Sequence, residues 1–439
     1  MEKLALLGGE QAIKSVPEEM FLWPIITEED EMAILDVLHT RRMSGTDITR
    51  EFEQKFAKWQ GQKYGLAFCN GTLSIQAAFF GCGIGAGDEV ICPGITYWAS
   101  CASLYALRAT PVFADIDAET LCIDPKDIEH RITDNTKAII VVHYASHPAD
   151  MDAIMKIARR HNLMVIEDVS HAQGGLYHGK KLGTIGDVGA MSLMTGKSFA
   201  CGEAGILTTD NLEIYERALA FAHYERNKDL QTESLKPFEQ LPLGGVKGRV
   251  HQMSTAMGLV QLKYYDARCA EIRRAMNYFW DGLEGVPGIH AHRVEEDAEN
   301  NMAGWYCPHG LYRSEELGGL SVTRFCEAVR AEGVAECNPG VNNALPTHGM
   351  FQTCDIYHEG KPTRISMSDH DVREQDTGLY VCTNIGKRVF SIPWFKKFQP
   401  EVIDQYIHAF RKVAENYKEL LQDDPGDPEN LGVWFTFKG

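Results

Sequence analysis

The chain has 439 residues, of which 44% are hydrophobic and 24% are charged, and its formal net charge at pH 7 is −18. This length exceeds one ordinary hydrophobic core, so we expect a large domain and a smaller one, with enough interior to bury a cofactor. The acidic balance argues against a nucleic-acid partner, and the absence of an apolar run of roughly 20 residues argues against a membrane-spanning segment.

The first two thirds of the chain alternate short apolar runs with helical patterns. A helical pattern over residues 51–59 comes first, and another over residues 73–80 separates the first two strand candidates. The strand candidates are Gly65–Phe68, Glu89–Cys92, Pro111–Ala114, Ala138–Val142 and Leu163–Glu167. This alternation predicts a mostly parallel sheet covered by helices on both faces, with ligands at the carboxyl ends of the strands.

A long helical pattern over residues 254–275 marks a change in the character of the chain. Connections rich in proline, glycine and histidine follow it, such as those at residues 338–340 and 345–349. We therefore predict a large domain with an N-terminal arm over residues 1–265 and a small domain over residues 266–439.

Lys197 and Asp168 are the residues that carry the clearest chemistry. Lys197 closes the glycine-rich run 186–197 and is followed by the segment 202–205, while Asp168 comes directly after a strand candidate. A lysine amine forms a Schiff base with the aldehyde of pyridoxal 5'-phosphate (PLP), and an aspartate keeps the pyridine nitrogen of PLP protonated. The pair favours a PLP-dependent enzyme.

Two helix starts add candidate contacts for such a cofactor. One of them follows a strand candidate and consists of Asn70, Gly71 and Thr72. The free backbone N–H groups at such a helix start bind an anion, although a purely structural helix cap is the commoner case. The next helix start carries Tyr97 and Trp98; either ring is able to stack on a pyridine, and we expect Trp98 to be packing.

These motifs together resemble the DegT/StrS family of PLP-dependent sugar or cyclitol aminotransferases. The resemblance covers about residues 30–265 and rests on their order and spacing. It implies an α/β fold of type I, similar to aspartate aminotransferase, with a three-layer large domain and a smaller C-terminal α+β domain. It also implies a homodimer with active sites at the subunit boundary. The motifs are residues 70–72, 85–90, 96–97, 147–151, 167–168, 186–192, 197 and 202–203.

The resemblance also implies a role for each matching residue. Lys197 corresponds to the Schiff-base lysine and proton carrier, and Asp168 to the partner of the pyridine nitrogen; these are the predicted catalytic residues. Tyr97 corresponds to the stacking aromatic ring. The predicted phosphate ligands are Gly71, Thr72 and Ser192.

Two positions depart from the family pattern. Three residues after the aspartate the family usually has glutamine, and two further on commonly histidine, whereas this chain has His171 and then Gln173. A hydrogen bond from His171 to the cofactor phenol oxygen and a purely structural role are about equally expected. Many members carry asparagine where this chain has Lys247, which we expect to reach the phosphate of the neighbouring subunit as a point charge.

The sequence leaves the substrates open. The dehydrating branch of the family replaces the Schiff-base lysine by histidine, so Lys197 favours transamination. The expected amino donor is glutamate or glutamine, and the expected acceptor is a ketone on a nucleotide-linked sugar or on a cyclitol. A PLP-dependent dehydratase or lyase, such as an aminohydroxybenzoate-type synthase, and a non-catalytic PLP-binding regulator are the alternatives. Candidate substrate contacts, each as readily structural, are Tyr224, Arg249, Trp305, His348 and the segment 338–366.

The cysteines and the first residues bear on localisation. The twelve cysteines are scattered, without a Cys-x-x-Cys pair or a cluster at zinc-ligand spacing, so we expect reduced thiols and no metal. The apolar stretch in residues 4–7 is too short for a signal peptide. We therefore expect a cytoplasmic protein.

Overall fold

The computed structural model describes residues 2–228 and 230–433. Its twelve strands are β1 Tyr64–Phe68, β2 Glu89–Pro93, β3 Thr110–Ala114, β4 Thr136–Val142, β5 Met164–Asp168, β6 Leu176–Tyr177, β7 Lys180–Lys181, β8 Val188–Ser192, β9 Gly205–Thr209, β10 Ile289–Ala291, β11 His309–Tyr312 and β12 Val389–Ser391. Its α-helices are α1 Glu28–His39, α2 Asp47–Gln60, α3 Gly71–Gly81, α4 Ala99–Ala102, α5 Pro125–Arg131, α6 Met151–His161, α7 Leu212–Ala222, α8 Gln252–Gly282, α9 Val322–Ala331, α10 Gly349–Gln352, α11 Tyr380–Asn384 and α12 Pro400–Glu415.

Seven strands form the main sheet, in the order β1-β9-β8-β5-β4-β2-β3. β9 is antiparallel to both of its neighbours, and the pairs formed by β2, β3, β4, β5 and β8 are parallel. All five strand candidates are present, each within two residues of its predicted ends. The prediction of a mostly parallel sheet is confirmed, and β8 and β9 extend it.

Helices cover both faces of this sheet. Along β1, Leu66 and Phe68 are buried in the largest apolar cluster of the protein, whereas Ala67 between them lies in a separate cluster with Phe52 and Phe56 of α2. Because successive side chains of a strand point to opposite faces, the two clusters lie on opposite sides of the sheet. The predicted three-layer α/β/α architecture is therefore confirmed.

The C-terminal part is built on a small antiparallel sheet in the order β10-β11-β12. Helices α9 and α12 pack on it and form a third apolar cluster, which also buries Leu4 and Met20 from the start of the chain. The long helix α8 passes residue 265 without a break: Tyr265 packs in the cluster around α2, and Ile272 packs in the C-terminal cluster. The domain division at residue 265 stays a prediction.

A segment of the C-terminal part folds back onto the main sheet. Leu345, Phe351, Leu379 and Cys382 are all buried in the largest cluster, most of whose residues come from the first half of the chain. Within the described part of the chain, no helix has both the length and the apolar character needed to cross a bilayer.

Candidate functional site

A cavity of about 240 Å³ lies at the carboxyl edge of the main sheet. β5 ends there at Asp168, β8 ends there at Ser192, and α3 begins there at Gly71. Seven of the eight predicted site residues line this cavity: Gly71, Thr72, Tyr97, Asp168, His171, Ser192 and Lys197. The structure thus brings together residues that the sequence placed at separate strand ends and helix starts.

Asp168 is a buried carboxylate whose orientation is set by two hydrogen bonds. Ser100 Oγ donates to Asp168 Oδ2 at 2.7 Å, and the backbone N–H of Ser170 donates to Oδ1 at 3.0 Å. The hydroxyl of Thr96 lies 3.1 Å from Ser100 Oγ and donates to it, because the Ser100 proton is used on Asp168. Each carboxylate oxygen keeps acceptor capacity for a ligand in the cavity.

Lys197 presents a buried amine to the same cavity. Burial lowers the pKa of Lys197 from its ordinary value of 10.5 to about 8, partly opposed by the negative charge of Asp168. Its Nζ lies 4.3 Å from the centroid of the Tyr306 ring. A lysine with this pKa is substantially neutral near pH 8, and the neutral form is the nucleophile.

The N-terminus of α3 forms an anion site on the cavity wall. Asn70 caps the helix by accepting the N–H of Leu73, while the N–H groups of Gly71 and Thr72 donate to no acceptor among the described residues. A Cβ added to Gly71 would lie only 2.5 Å from Ser192 Cβ, so glycine is needed for the close approach of α3 to β8. Two free N–H groups at the positive end of a helix, beside two hydroxyls, suit a phosphate.

His171 faces the cavity as a neutral ring. Burial, followed by the positive charge of Lys197, holds the pKa of His171 well below its ordinary value of 6.5. Its Nδ1 accepts the backbone N–H of Ala145 at 3.3 Å, so the proton of the neutral ring sits on Nε2. His171 is therefore a hydrogen-bond donor through Nε2.

Gln173 has a different environment from His171. It is fully buried and donates through Nε2 to the backbone oxygens of Ser170 and Ser192, at 3.2 and 2.8 Å. Its Oε1 accepts the hydroxyl of Ser198 at 2.7 Å. Gln173 thus ties together the turns that follow β5 and β8, whereas His171 is the cavity residue of the pair.

Of the two adjacent aromatic residues, Tyr97 is the one that lines the cavity. Its ring is half-buried, and burial raises the pKa of the Tyr97 hydroxyl. The ring centroid of Trp98 lies 4.8 Å from that of Tyr97, and Trp98 packs against the largest apolar cluster. Tyr97, and not Trp98, therefore faces the cavity, and stacking of its ring on a cofactor stays a prediction.

Lys247 is the predicted site residue that does not line the cavity of its own chain. It is exposed, and its Nζ lies 5.4 Å from the centroid of the Tyr224 ring. Neither Tyr224 nor Arg249 belongs to the described cavity wall. An exposed cation outside this cavity is compatible with the predicted contact to a neighbouring subunit, which stays a prediction.

The substrate side of the cavity contains residues that the sequence did not indicate. Trp305 is buried, His348 caps α10 by accepting the N–H of Met350, and neither residue lines the cavity. The lining residues are instead Tyr306, Cys307 and Asn342, together with Ser100 and Glu203. Glu203 lies within the quoted motifs, Ser100 lies in the helix start that carries Tyr97, and Asn342 lies in the segment assigned to the substrate side. Tyr306 and Cys307 carry no local signal.

Comparison with known proteins gives consistent matches over most of the chain. Residues 24–411 match the DegT/DnrJ/EryC1/StrS aminotransferase family. An L-glutamine:scyllo-inosose aminotransferase of Streptomyces griseus is 30% identical over 435 residues, which are 95% of this chain and 99% of that protein. An L-glutamine:2-deoxy-scyllo-inosose aminotransferase of Micromonospora echinospora is 32% identical over 435 residues, 96% of this chain and 100% of the other. The structure of an aminotransferase from Psychrobacter cryohalolentis is similar, with a TM-score of 0.76 and 28% identity, over 91% of this chain and 100% of that one.

Proposed function

Because the chain belongs to the DegT/DnrJ/EryC1/StrS aminotransferase family, we propose that it uses PLP to move an amino group from glutamine to the ketone of a free cyclitol. The observation that carries this proposal is the placement of Lys197 and Asp168 on one cavity with the N-terminus of α3. An amine, a carboxylate and an anion site are the three groups that the aldehyde, the pyridine nitrogen and the phosphate of PLP require.

The residues of the cavity fit PLP in chemistry and in arrangement. Gly71, Thr72 and Ser192 would hold the phosphate, and Asp168 would accept the N–H of the pyridine nitrogen. Tyr97 would lie on the ring face, and His171 would donate from Nε2 to the phenol oxygen. The free N–H groups of α3 support the phosphate assignment most directly, because no acceptor in the described part of the chain pairs with them.

When bound, PLP supplies an electron-withdrawing ring and a carbonyl carbon at which amines exchange. Lys197 would provide the nitrogen that holds this carbon, and its Nζ, when free, would carry a proton to and from the carbon of the bound substrate. Its pKa of about 8 suits that task near neutral pH, because both forms of the amine are accessible. Asp168, fixed by Ser100 and Ser170, keeps the ring nitrogen protonated.

The charge of the cavity favours an uncharged acceptor over a nucleotide-linked sugar. Among the described residues of the cavity wall, Lys197 is the one with a lysine or arginine side chain, and it is committed to the cofactor. A nucleotide diphosphate needs further cations, whereas the hydroxyls of a cyclitol need acceptors and donors such as Glu203 and Asn342. Both full-length relatives are named as glutamine-dependent aminotransferases of inososes, which supports the same donor and acceptor class.

A homodimer completes the proposal. Lys247 is exposed and lies outside its own cavity, so we assign its ammonium group to the phosphate site of the partner subunit.

All twelve cysteines are unpaired, which fits an enzyme of the reducing cytoplasm.

The test follows the two half-reactions separately. The protein is loaded with PLP and treated with L-glutamine alone; we expect conversion of the cofactor to its amine form, seen as loss of its visible absorbance band. Addition of scyllo-inosose should restore the band and yield the aminated cyclitol. A Lys197→Ala protein should show neither change.

The outcomes separate this function from its alternatives. A PLP-binding regulator would leave the absorbance unchanged with glutamine and with glutamate. A dehydratase or lyase would give a product that lacks a substrate hydroxyl, which mass spectrometry detects. Restoration of the band by a nucleotide-linked keto sugar and not by scyllo-inosose would refute the acceptor while leaving the aminotransferase activity in place.

A further inference from the structure

Three aromatic rings from distant parts of the chain form a continuous layer behind the cavity. The layer consists of Trp23 from the N-terminal arm, Trp394 after β12, and Tyr306 before β11. The ring centroids of Trp23 and Trp394 are 5.7 Å apart, and those of Trp394 and Tyr306 are also 5.7 Å apart in an edge-to-face arrangement. Tyr306 is the end of this aromatic layer that meets Lys197.

Both indole N–H groups of the layer hold backbone carbonyls of the site. Trp23 Nε1 donates to the carbonyl oxygen of Lys197 at 2.8 Å. Trp394 Nε1 donates to the carbonyl oxygen of Gly304 at 2.8 Å, two residues before Tyr306. The layer is therefore bonded both to the turn that carries the reactive amine and to the turn that carries the ring facing it.

The turn that carries Tyr306 has a strained backbone. Ala303, Trp305 and Cys307 have φ values of 44°, 51° and 55°, a left-handed region that residues with a Cβ adopt rarely. Such conformations persist only where surrounding contacts hold them, and they cluster at functional sites. Here the bond from Trp394 to Gly304 is one of those contacts.

A second buried amine lies against the ring of Trp394. Lys396 is buried, and its Nζ lies 3.3 Å from the centroid of the Trp394 ring and 5.9 Å from that of Trp23. The amine donates to the carbonyl oxygen of Trp394 at 3.0 Å. Burial lowers the pKa of Lys396 to about 6, so the amine is largely neutral at neutral pH and holds Trp394 through the bond to its carbonyl oxygen and the contact with its ring.

We propose that the aromatic layer positions Lys197 and that Lys396 fixes the two indole rings, so that the N-terminal arm is a working part of the active site. Trp23, Trp394 and Lys396 are positioning residues, because they act on the turns of Lys197 and Tyr306 and not on the reacting atoms. The inference rests on the proposed function only in taking Lys197 as the reactive amine.

The first test removes one hydrogen bond and keeps the ring. In Trp23→Phe, the Lys197 carbonyl loses its donor, and we expect kcat to fall about tenfold while KM for glutamine stays within about twofold. Trp59→Phe is the matched control, because Trp59 Nε1 makes a similar bond of 2.9 Å to Asp266 and does not line the cavity.

A second readout needs no substrate. The lysines of the cofactor-free protein are dimethylated with ¹³C, and the Lys197 resonance, identified by its loss in Lys197→Arg, is titrated by NMR. Burial is the main cause of the depressed pKa of Lys197, and an amine that the aromatic layer no longer positions would be less buried. We therefore expect this pKa to rise from about 8 in Trp23→Phe and in Lys396→Met, and to stay unchanged in Trp59→Phe.

The two readouts keep the inference separate from the proposed function. A shifted Lys197 titration supports the positioning role even if scyllo-inosose proves not to be the acceptor. Restoration of wild-type values in Lys396→Arg, which keeps an N–H donor at this position, supports the role given to Lys396. If Trp23→Phe and Lys396→Met match Trp59→Phe both in kcat and in the Lys197 titration, the aromatic layer is only structural and the proposal is overturned.

Discussion

Ser100 offers the sharpest test of how the cavity controls its carboxylate. Its hydroxyl donates to Asp168 Oδ2 at 2.7 Å, and both residues are buried. Ser100→Ala removes that donor, so Asp168 Oδ2 loses its hydrogen-bond partner among the described residues. We expect weaker binding of PLP and a slower first half-reaction with glutamine.

The size of the effect follows from the kind of bond that is lost. A hydrogen bond to a charged group contributes about 1.5–3 kcal/mol, and each 1.36 kcal/mol is a factor of ten in rate or affinity. Ser100→Ala should therefore cost about 10- to 100-fold, divided between PLP affinity and the half-reaction rate. Ser100→Thr keeps the hydroxyl and should stay close to the wild-type protein.

The assay measures PLP affinity by fluorescence titration of the cofactor-free protein and the glutamine half-reaction by stopped-flow absorbance. Ser103→Ala is the control, because Ser103 is also buried but its hydroxyl donates to the backbone oxygen of Ala99 and not to Asp168. If Ser100→Ala and Ser103→Ala behave alike in both measurements, the bond to Asp168 does not contribute to function, and the assignment of Asp168 to the pyridine nitrogen loses its support.

Three further predictions address the anion site, the buried amine and the dimer. Gly71→Ala places a Cβ 2.5 Å from Ser192 Cβ, so we expect it to lower the unfolding free energy by about 1–3 kcal/mol and to weaken PLP binding. In Gly85→Ala the added Cβ meets open space, so this control should leave both quantities unchanged. Urea denaturation measures the first quantity and PLP titration the second. Because the pKa of Lys197 falls from 10.5 to about 8 on folding, the unfolded chain binds more protons between these pH values, and the stability of the folded protein rises with pH across them. Lys197→Met should therefore stabilise the cofactor-free protein by up to about 3 kcal/mol at pH 7, and this gain should fade towards pH 10.5. A stability difference in urea denaturation that does not depend on pH would contradict this prediction. Mixing inactive Lys197→Ala and Lys247→Ala proteins should restore about a quarter of the wild-type activity, since each mixed dimer regains one intact site; no recovery after proven subunit exchange would place Lys247 outside the shared site.

The strands and the position of the site were predictable because they depend on local patterns. Apolar runs such as Ala138–Val142 can be buried only as interior strands between two helical layers, and the end of each parallel strand falls at the same sheet edge. Asp168 and Gly71 were therefore placed correctly by their distance from a strand end alone. Their roles toward PLP stay predictions that the experiments above test.

The substrate side was not predictable in the same way. Tyr306 and Cys307 reach the cavity through a turn with alternating positive φ values, without a glycine at the positions concerned to mark it. That conformation is held by tertiary contacts, including the bond from Trp394 to the Gly304 carbonyl, which no local window of sequence contains. Strand β9, Gly205–Thr209, is as long as most of the predicted strands, but it begins with glycine and ends in two threonines, so it lacks the apolar run that marked the others.

The exchanged order of His171 and Gln173 shows why a family pattern transfers by environment and not by residue type. The position of Gln173 has two backbone carbonyls and one hydroxyl around it, which an amide satisfies with two N–H donors and one acceptor. A neutral imidazole has one donor and one acceptor, so histidine at this position would leave a buried carbonyl without a partner. The position of His171 requires one acceptor for the Ala145 N–H and one group directed to the cavity, which either side chain supplies. The position of His171 is therefore the one of the two that is free to vary. Histidine there adds a neutral hydrogen-bond donor, because burial and the charge of Lys197 hold the pKa of His171 below the physiological range.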